Sequence, residues 1–93
     1  MPVQSLNPVE PEGFSSSFLS DLLPSEWKLL LLIAKDLSNE EIVEIMFIAP
    51  KTVETYLTRI REKLEIRGKG RLSRFARKNK EALMNLYNEI YPT

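Results

Sequence analysis

The sequence predicts an all-α protein of one domain. Apolar residues recur at helical spacing in successive stretches, and a serine cap and two well-placed prolines mark where helices begin. A chain of 93 residues forms one domain rather than two, and its 43% apolar residues suffice for a modest core.

The composition argues against an enzyme. The chain holds no Cys and no His, which excludes disulfides, thiolate metal sites and the commonest general base. The remaining polar side chains form no recognisable catalytic constellation, so no catalytic residue, metal or cofactor is predicted. The longest apolar run, residues 29–34, is far shorter than the roughly 20 residues that span a membrane. No basic residue of a secretory signal precedes Lys28, and a cytoplasmic protein is expected.

Charge is distributed unevenly along the chain, although its net value is zero. Residues 1–48 hold two basic and eight acidic side chains, a net charge of −6. Residues 49–93 hold eleven basic and five acidic side chains, a net charge of +6. This asymmetry indicates that the second half faces nucleic acid, the alternative being a merely solvated basic helix.

The N-terminal part is divided into a tail and a short apolar segment. Residues 1–13 contain three prolines and a glycine and predict a tail or linker. A short helix that docks on the domain is expected from the helical spacing of Phe14, Phe18, Leu19, Leu22 and Leu23. The predicted divisions are residues 1–22 for this tail, 23–78 for the domain and 79–93 for a C-terminal helical extension.

The first domain helix is apolar nearly all round. Pro24 or Ser25 opens it, since Pro is favoured at the first helical position, and it runs to about Lys35. A core face is formed by Leu29, Leu30, Ile33 and Ala34. Trp27 and Leu31 form a second apolar stripe. It is expected to pack under the 14–23 segment or the C-terminal helix, and the alternative is a protein interface.

A helix-turn-helix is predicted for residues 38–64. Ser38 and Glu41 form a capping box, after which Ile42, Ile45 and Met46 face the core. Residues 47–49 make the turn, and Pro50 opens a third helix that runs to about Glu65. The buried stripe of that helix is formed by Val53, Leu57, Ile60 and Leu64.

A basic helix follows the loop of residues 68–70. It begins at Arg71 and turns Leu72, Phe75 and Ala76 inward. Helical spacing resumes at Leu83, Leu86/Tyr87 and Ile90, so helix is expected to about Tyr91. Whether residues 78–79 break it in two is left open by the sequence.

These patterns together resemble the LuxR/GerE family of bacterial helix-turn-helix domains. The matching pieces, in register from residue 22 to 78, are Pro24…Glu26, residues 37–42, Ile48-x-Pro50-x-Thr52-Val53-Glu54, Ile60-x-x-Lys63-Leu64 and Ile66-Arg67. The resemblance implies a four-helix domain in which the third helix enters the major groove of double-stranded DNA. It also implies a homodimer formed through the fourth helix, and a receiver or sensor domain N-terminal to the Pro-rich segment that this chain lacks.

Carried over by position, the resemblance assigns roles to individual side chains. The base-contacting residues are Glu54, Thr55 and Thr58, which lie on the exposed face of the third helix. Phosphate contacts are expected from Asn39, Lys51, Thr52, Arg59, Arg61 and Lys63. Phe75 and Leu83 are expected at the dimer interface. The alternative for the two threonines is an ordinary solvated helix face.

Some positions depart from the family pattern. Asp36 stands where the first helix normally ends in Gly, and it must adopt the left-handed conformation there. Ala49 replaces the usual Ser cap of the third helix, which costs about 1 kcal/mol and one phosphate contact. Leu23 replaces a Thr cap, and Tyr56 a common His.

Two other functions compete with the regulator domain. One is a helical protein-interaction module that kept the fold without strong DNA binding, which zero net charge and Glu54 favour. The other is region 4 of a sigma factor, which has a similar helix-turn-helix. The continuation of Ile66-Arg67 into a fourth helix favours the LuxR/GerE type.

Overall fold

Five α-helices form the part of the chain that the computed structural model describes, residues 19, 21–68 and 70–92. They are α1 (Pro24–Ala34), α2 (Asn39–Met46), α3 (Pro50–Leu64), α4 (Arg71–Lys78) and α5 (Lys80–Ile90). These described residues include no strand, and the prediction of an all-α protein is confirmed. The predicted N-terminal helix lies mostly outside the described residues, as do Phe14 and Phe18.

The starts of the first three helices follow from their first residues. At α2, Ser38 Oγ accepts from the backbone N–H of Glu41 at 3.2 Å, and Ser38 N–H donates to Glu41 Oε1 at 2.8 Å. The predicted capping box is therefore confirmed. Pro24 and Pro50 stand in the first turns of α1 and α3, where their missing N–H groups need no partner.

Three non-glycine residues take the left-handed conformation where helices end. Asp36, Phe47 and Glu65 have φ of 66°, 56° and 58°, and each follows the last turn of α1, α2 or α3. This conformation lets the chain leave the helix while its final carbonyls still accept hydrogen bonds. The expectation for Asp36 is confirmed, although glycine would adopt this conformation at lower cost.

The core lies where α1 meets α3, α4 and α5. Trp27 and Ile60 are fully buried in it, and Leu19 and Leu22, which precede α1, are buried as well. The Trp27 ring packs against Tyr87 of α5, with ring centroids 5.9 Å apart and planes tilted by 58°. The second apolar stripe of α1 therefore packs against the C-terminal helix, which was one of the two expected packings.

The core face of α2 differs from the predicted one. Ile42 is buried and Met46 is half-buried, but Ile45 is 50% exposed, so the prediction for Ile45 is wrong. Val43 takes its place in contact with the core. Ile42, Val43 and Met46 share one side of the helix at 3.6 residues per turn, whereas Ile45 points about 100° away from their mean direction.

The C-terminal part contains two helices rather than one. Asn79 interrupts them with φ −110° and ψ 26°, and its Nδ2 donates to the carbonyl of Phe75 at 3.0 Å. Leu83 and Leu86 of α5 are buried. The core thus includes side chains beyond both predicted limits of the domain, residues 23 and 78.

Phe75 and Leu83 do not occupy a surface that a second copy could reach. Phe75 is 8% exposed and Leu83 is 0% exposed, and both belong to the core of the monomer. The expectation that they form a dimer interface does not fit this burial, since α4 and α5, which carry them, both pack on α1.

Candidate nucleic-acid interface

The α2–turn–α3 unit presents one side of α3 to solvent. Buried Ile42 and Val53 hold the two helices to the core, and Phe47, in the left-handed conformation, ends α2 so that Pro50 can begin α3 three residues later. The opposite side of α3 carries the polar side chains. The fold therefore leaves one α-helix free to project into a groove about as wide as the major groove of DNA.

The three predicted base-contacting residues are brought together on this exposed side. Glu54, Thr55 and Thr58 all lie exposed in the N-terminal half and middle of α3. The Thr55 hydroxyl donates to the carbonyl of Lys51 at 3.1 Å, and the Thr58 hydroxyl donates to the carbonyl of Glu54 at 3.1 Å. Both hydroxyl protons are used within the helix, so the face offers acceptor oxygens and methyl groups.

That chemistry restricts what the face can bind. Acceptor oxygens suit the amino groups that cytosine and adenine present in the major groove, and a threonine methyl suits the thymine methyl. The Glu54 carboxylate accepts hydrogen bonds but repels phosphate. With both hydroxyl protons used within the helix, this side of α3 suits the edges of bases better than the phosphates of the DNA backbone.

The predicted phosphate contacts surround this face. Lys51 and Arg59 are exposed, whereas Thr52 and Arg61 are half-buried. Arg61 Nη2 lies 3.4 Å from Thr58 Oγ1, a long hydrogen bond that links the basic and the base-facing groups. Asn39 is exposed at the first position of α2, where the backbone N–H groups of a helix attract anions.

Lys63 stands apart from the other expected phosphate contacts. Its Nζ lies 2.7 Å from Glu26 Oε1, and its side chain is 30% exposed while that of Glu26 is fully buried. Glu26 Oε1 also accepts from the backbone N–H of Leu23 at 2.9 Å. Lys63 therefore joins α3 to α1, a role that the sequence-based interpretation missed.

The sequence pattern indicated one partner of the Glu26–Lys63 ion pair but not the other. Glu26 is three residues after Leu23, the spacing of a helix-start acceptor, but its partner is 37 residues further along the chain. A buried carboxylate needs a cation or several donors, and any of thirteen later basic residues could have supplied it. Only the packing of α1 on α3 selects Lys63.

A polar groove of about 310 Å³ connects the start of α2 with α3 and α4. Asn39, Arg61, Ser73 and Arg77 line it, and Arg77 Nη1 pairs with Asp36 Oδ1 at 3.2 Å. This ion pair is exposed on both sides, so it contributes little to stability. The groove places the beginning of α4 on the same side of the molecule as the expected phosphate contacts.

No group of three acidic residues in the described part of the chain is arranged to hold a metal ion. None of its helices is long and apolar enough to cross a membrane.

A two-helix unit of this geometry, with a polar and basic recognition face, defines a helix-turn-helix DNA-binding domain of the kind found in transcription regulators. The chain belongs to the luxR family of bacterial regulatory proteins, whose profile matches residues 20–76. This match confirms the resemblance drawn from the sequence motifs.

Individual relatives agree with this assignment. The chain is 44% identical over 55 residues to the oxygen regulatory protein NreC of Staphylococcus carnosus, 42% to that of Staphylococcus haemolyticus and 44% to that of Staphylococcus aureus strain JH9. Each match covers 59% of this chain and 25% of the relative, so the chain spans about a quarter of these proteins. No solved structure matches the chain significantly.

Proposed function

We propose that this domain binds a specific DNA sequence as the output domain of a bacterial transcription regulator, with α3 in the major groove. The observation that carries the proposal is the exposed side of α3, where Glu54, Thr55 and Thr58 are surrounded by basic side chains. The family register supports the same face. In this assignment the backbone contacts come from Asn39, Lys51, Thr52, Arg59 and Arg61.

We further propose that the domain acts on DNA as a homodimer in the cytoplasm. Three short acceptor side chains give one copy of α3 few base contacts, and two copies on half-sites one helical turn apart would double them. In the whole regulator, a receiver or sensor domain N-terminal to this one would control the output. The length of the relatives, of which the chain matches a quarter, is compatible with such a further domain.

The test is binding of a labelled duplex selected from a random pool, measured by fluorescence anisotropy at several salt concentrations. Specific binding should weaken steeply with salt in proportion to the number of phosphates contacted. A folded sample that binds no duplex even at low salt would refute DNA binding. The spacing of half-sites in the selected sequences tests the dimer.

Single substitutions separate the two kinds of contact. Arg59→Ala should weaken binding to all sequences alike, because a phosphate contact carries no sequence information. Thr58→Ala should instead change the preference between sequences, by about 1–3 kcal/mol at the base pair it contacts. The assignment of Thr58 fails if both variants lower the affinity uniformly.

A protein-interaction module remains the second candidate, and one surface favours it. Phe47 is 92% exposed and Ile45 is 50% exposed, and with Met46, Tyr56 and Tyr87 they line a groove of about 600 Å³. Large apolar side chains that remain this exposed often mark a binding surface. Phe47→Ser should leave DNA binding unchanged if this groove serves only a protein partner.

A further inference from the structure

The polar side chains of α3 follow a definite order around the helix. Glu54, Thr55 and Thr58 are exposed neighbours on one side of it, and we refer to these three residues as the α3 acceptor row. Arg59 and Arg61 lie on opposite flanks of Thr58, since a helix of 3.6 residues per turn rotates them from it by about +100° and −60°. Positive charge therefore borders the acceptor row, and the row itself carries none.

No side-chain proton of the acceptor row is free for donation. The Thr55 and Thr58 hydroxyls each donate to a main-chain carbonyl one turn earlier, at 3.1 Å. Arg61 Nη2 donates to Thr58 Oγ1 at 3.4 Å, so this hydroxyl must direct its own proton away from Arg61. The Glu54 carboxylate is exposed, has no ion-pair partner among the described residues, and can only accept. The row is thus limited to accepting hydrogen bonds.

The bases of DNA differ in what they offer to such a row. In the major groove, cytosine and adenine present an amino group, whereas guanine presents only the acceptors O6 and N7. Guanine is therefore rejected, because its two acceptors would face oxygen atoms. A carboxylate also fits cytosine better than adenine, because the N7 acceptor of adenine lies beside its amino group and repels a second acceptor. These properties favour a cytosine opposite a carboxylate of α3.

Two exposed carboxylates of α3 could take this role, Glu54 and Glu62. Glu62 stands in the last turn of the helix, which runs from Pro50 to Leu64, and it lies about 12 Å further along the axis than Glu54. In a helix-turn-helix, the N-terminal residues of the second helix contact the base edges. This position favours Glu54 and makes Glu62 a matched control of equal charge and exposure class.

We infer that Glu54 determines the base specificity of the domain by accepting a hydrogen bond from the N4 amino group of a cytosine in each half-site. This inference rests on the proposed DNA binding and adds to it the chemical class of the contacted base. Recognition by the acceptor row uses hydrogen-bond donors on the bases, and O6 and N7 of guanine take no part in it.

Selection of duplexes from a random pool, with wild-type protein and with E54A, locates the contact. Wild type should select cytosine at one position of each half-site, and E54A should show no preference there, because alanine offers no acceptor. E62A removes the same charge from the last turn of α3 and should select the same sequences as wild type. E54Q should accept adenine as well as cytosine, since an amide both donates and accepts. Circular dichroism melting confirms that each variant is folded.

Base analogues then show which base of that pair is read. In one half-site, the cytosine is replaced by 2-pyrimidinone, which lacks the amino group. In a separate duplex, the partner guanine is replaced by 7-deazaguanine, which lacks N7. Measured by fluorescence anisotropy, loss of the amino group should weaken binding of wild type about tenfold, the scale of one base contact. The same loss should change binding of E54A by less than about twofold, which also controls for the weaker pairing of the analogue. The duplex with 7-deazaguanine should bind wild type as the unmodified duplex does.

Three outcomes would overturn the inference. Wild type could select no cytosine whose preference E54A loses, 7-deazaguanine could weaken binding while loss of the amino group does not, or E62A could change the selected sequence as E54A does. If wild-type protein binds no duplex, the proposed function itself fails. If wild type binds and Thr58→Ala alters its preference while loss of the amino group has no effect, the role of Glu54 alone is refuted.

Discussion

The Glu26 carboxylate lies in the core, and a single ammonium group provides its charge partner. Its side chain has no exposed surface, Lys63 lies 2.7 Å away, and the Leu23 N–H donates to the same oxygen. Burial of an ionised carboxylate without a partner is strongly unfavourable. The ion pair therefore fixes how the C-terminal half of α3 lies on α1.

Lys63→Met should destabilise the domain by about 3 kcal/mol, because it leaves the Glu26 charge buried and unpaired. Urea unfolding followed by circular dichroism measures this loss. E26Q/K63M, which removes both charges, should recover a large part of it. Equal stability of K63M and wild type would show that Lys63 does not hold Glu26, and would leave it available for a phosphate.

At the scale of the helices, α2 and α3 begin in different ways. Ser38 caps α2 with its hydroxyl, whereas Ala49 at the start of α3 has no side chain that can accept a hydrogen bond. In the first turn of α3, Pro50 has no N–H and the Thr52 N–H donates to the Ala49 carbonyl at 2.9 Å, which leaves the Lys51 N–H for water or an anion. This helix therefore gives up some stability at the end that would approach the DNA backbone.

Ala49→Ser should stabilise the domain by about 1 kcal/mol, because a Ser hydroxyl accepts from an N–H group of the first turn where Ala offers no side-chain acceptor. Ser38→Ala is the opposite change at α2 and should destabilise the domain by a similar amount, because the 3.2 Å hydrogen bond from the Glu41 N–H is lost. Thermal melting of both variants against wild type gives the comparison. A neutral Ala49→Ser would mean that the first turn of α3 is already satisfied.

At the scale of the whole molecule, α5 completes the core rather than extending beyond it. Leu83 and Leu86 are buried, and Tyr87 packs on the fully buried ring of Trp27. Burial of two leucine side chains contributes about 3–6 kcal/mol. The free energy of unfolding of a small domain is only about 5–15 kcal/mol, so α5 decides whether the domain folds.

A chain that ends at Lys78 should therefore be unfolded or melt at a much lower temperature than the full chain. The matched control ends at Asn88 and keeps Leu83, Leu86 and Tyr87, so it should melt close to wild type. Both are compared by circular dichroism melting. A stable, cooperative fold for residues 1–78 would show that α5 is dispensable.

The sequence alone determined the helical segments, the starts of the first three helices and the family. Helical spacing, the Ser38–Glu41 box and Pro50 are local signals, because backbone geometry and capping act within a few residues. The polar side of α3 was equally evident, since the buried stripe of one helix defines its exposed side. Those signals placed Glu54, Thr55 and Thr58 on one face before any tertiary contact was known.

Only the tertiary structure decided which charged and apolar side chains meet across the chain. It paired Lys63 with Glu26, packed Trp27 on Tyr87 and buried Phe75 and Leu83, which the sequence had assigned to a dimer interface. The periodicity of a helix shows that a face is apolar but not whether that face meets its own domain or a second copy. The answer depends on how the helices pack. That packing is set by contacts between residues far apart in the sequence.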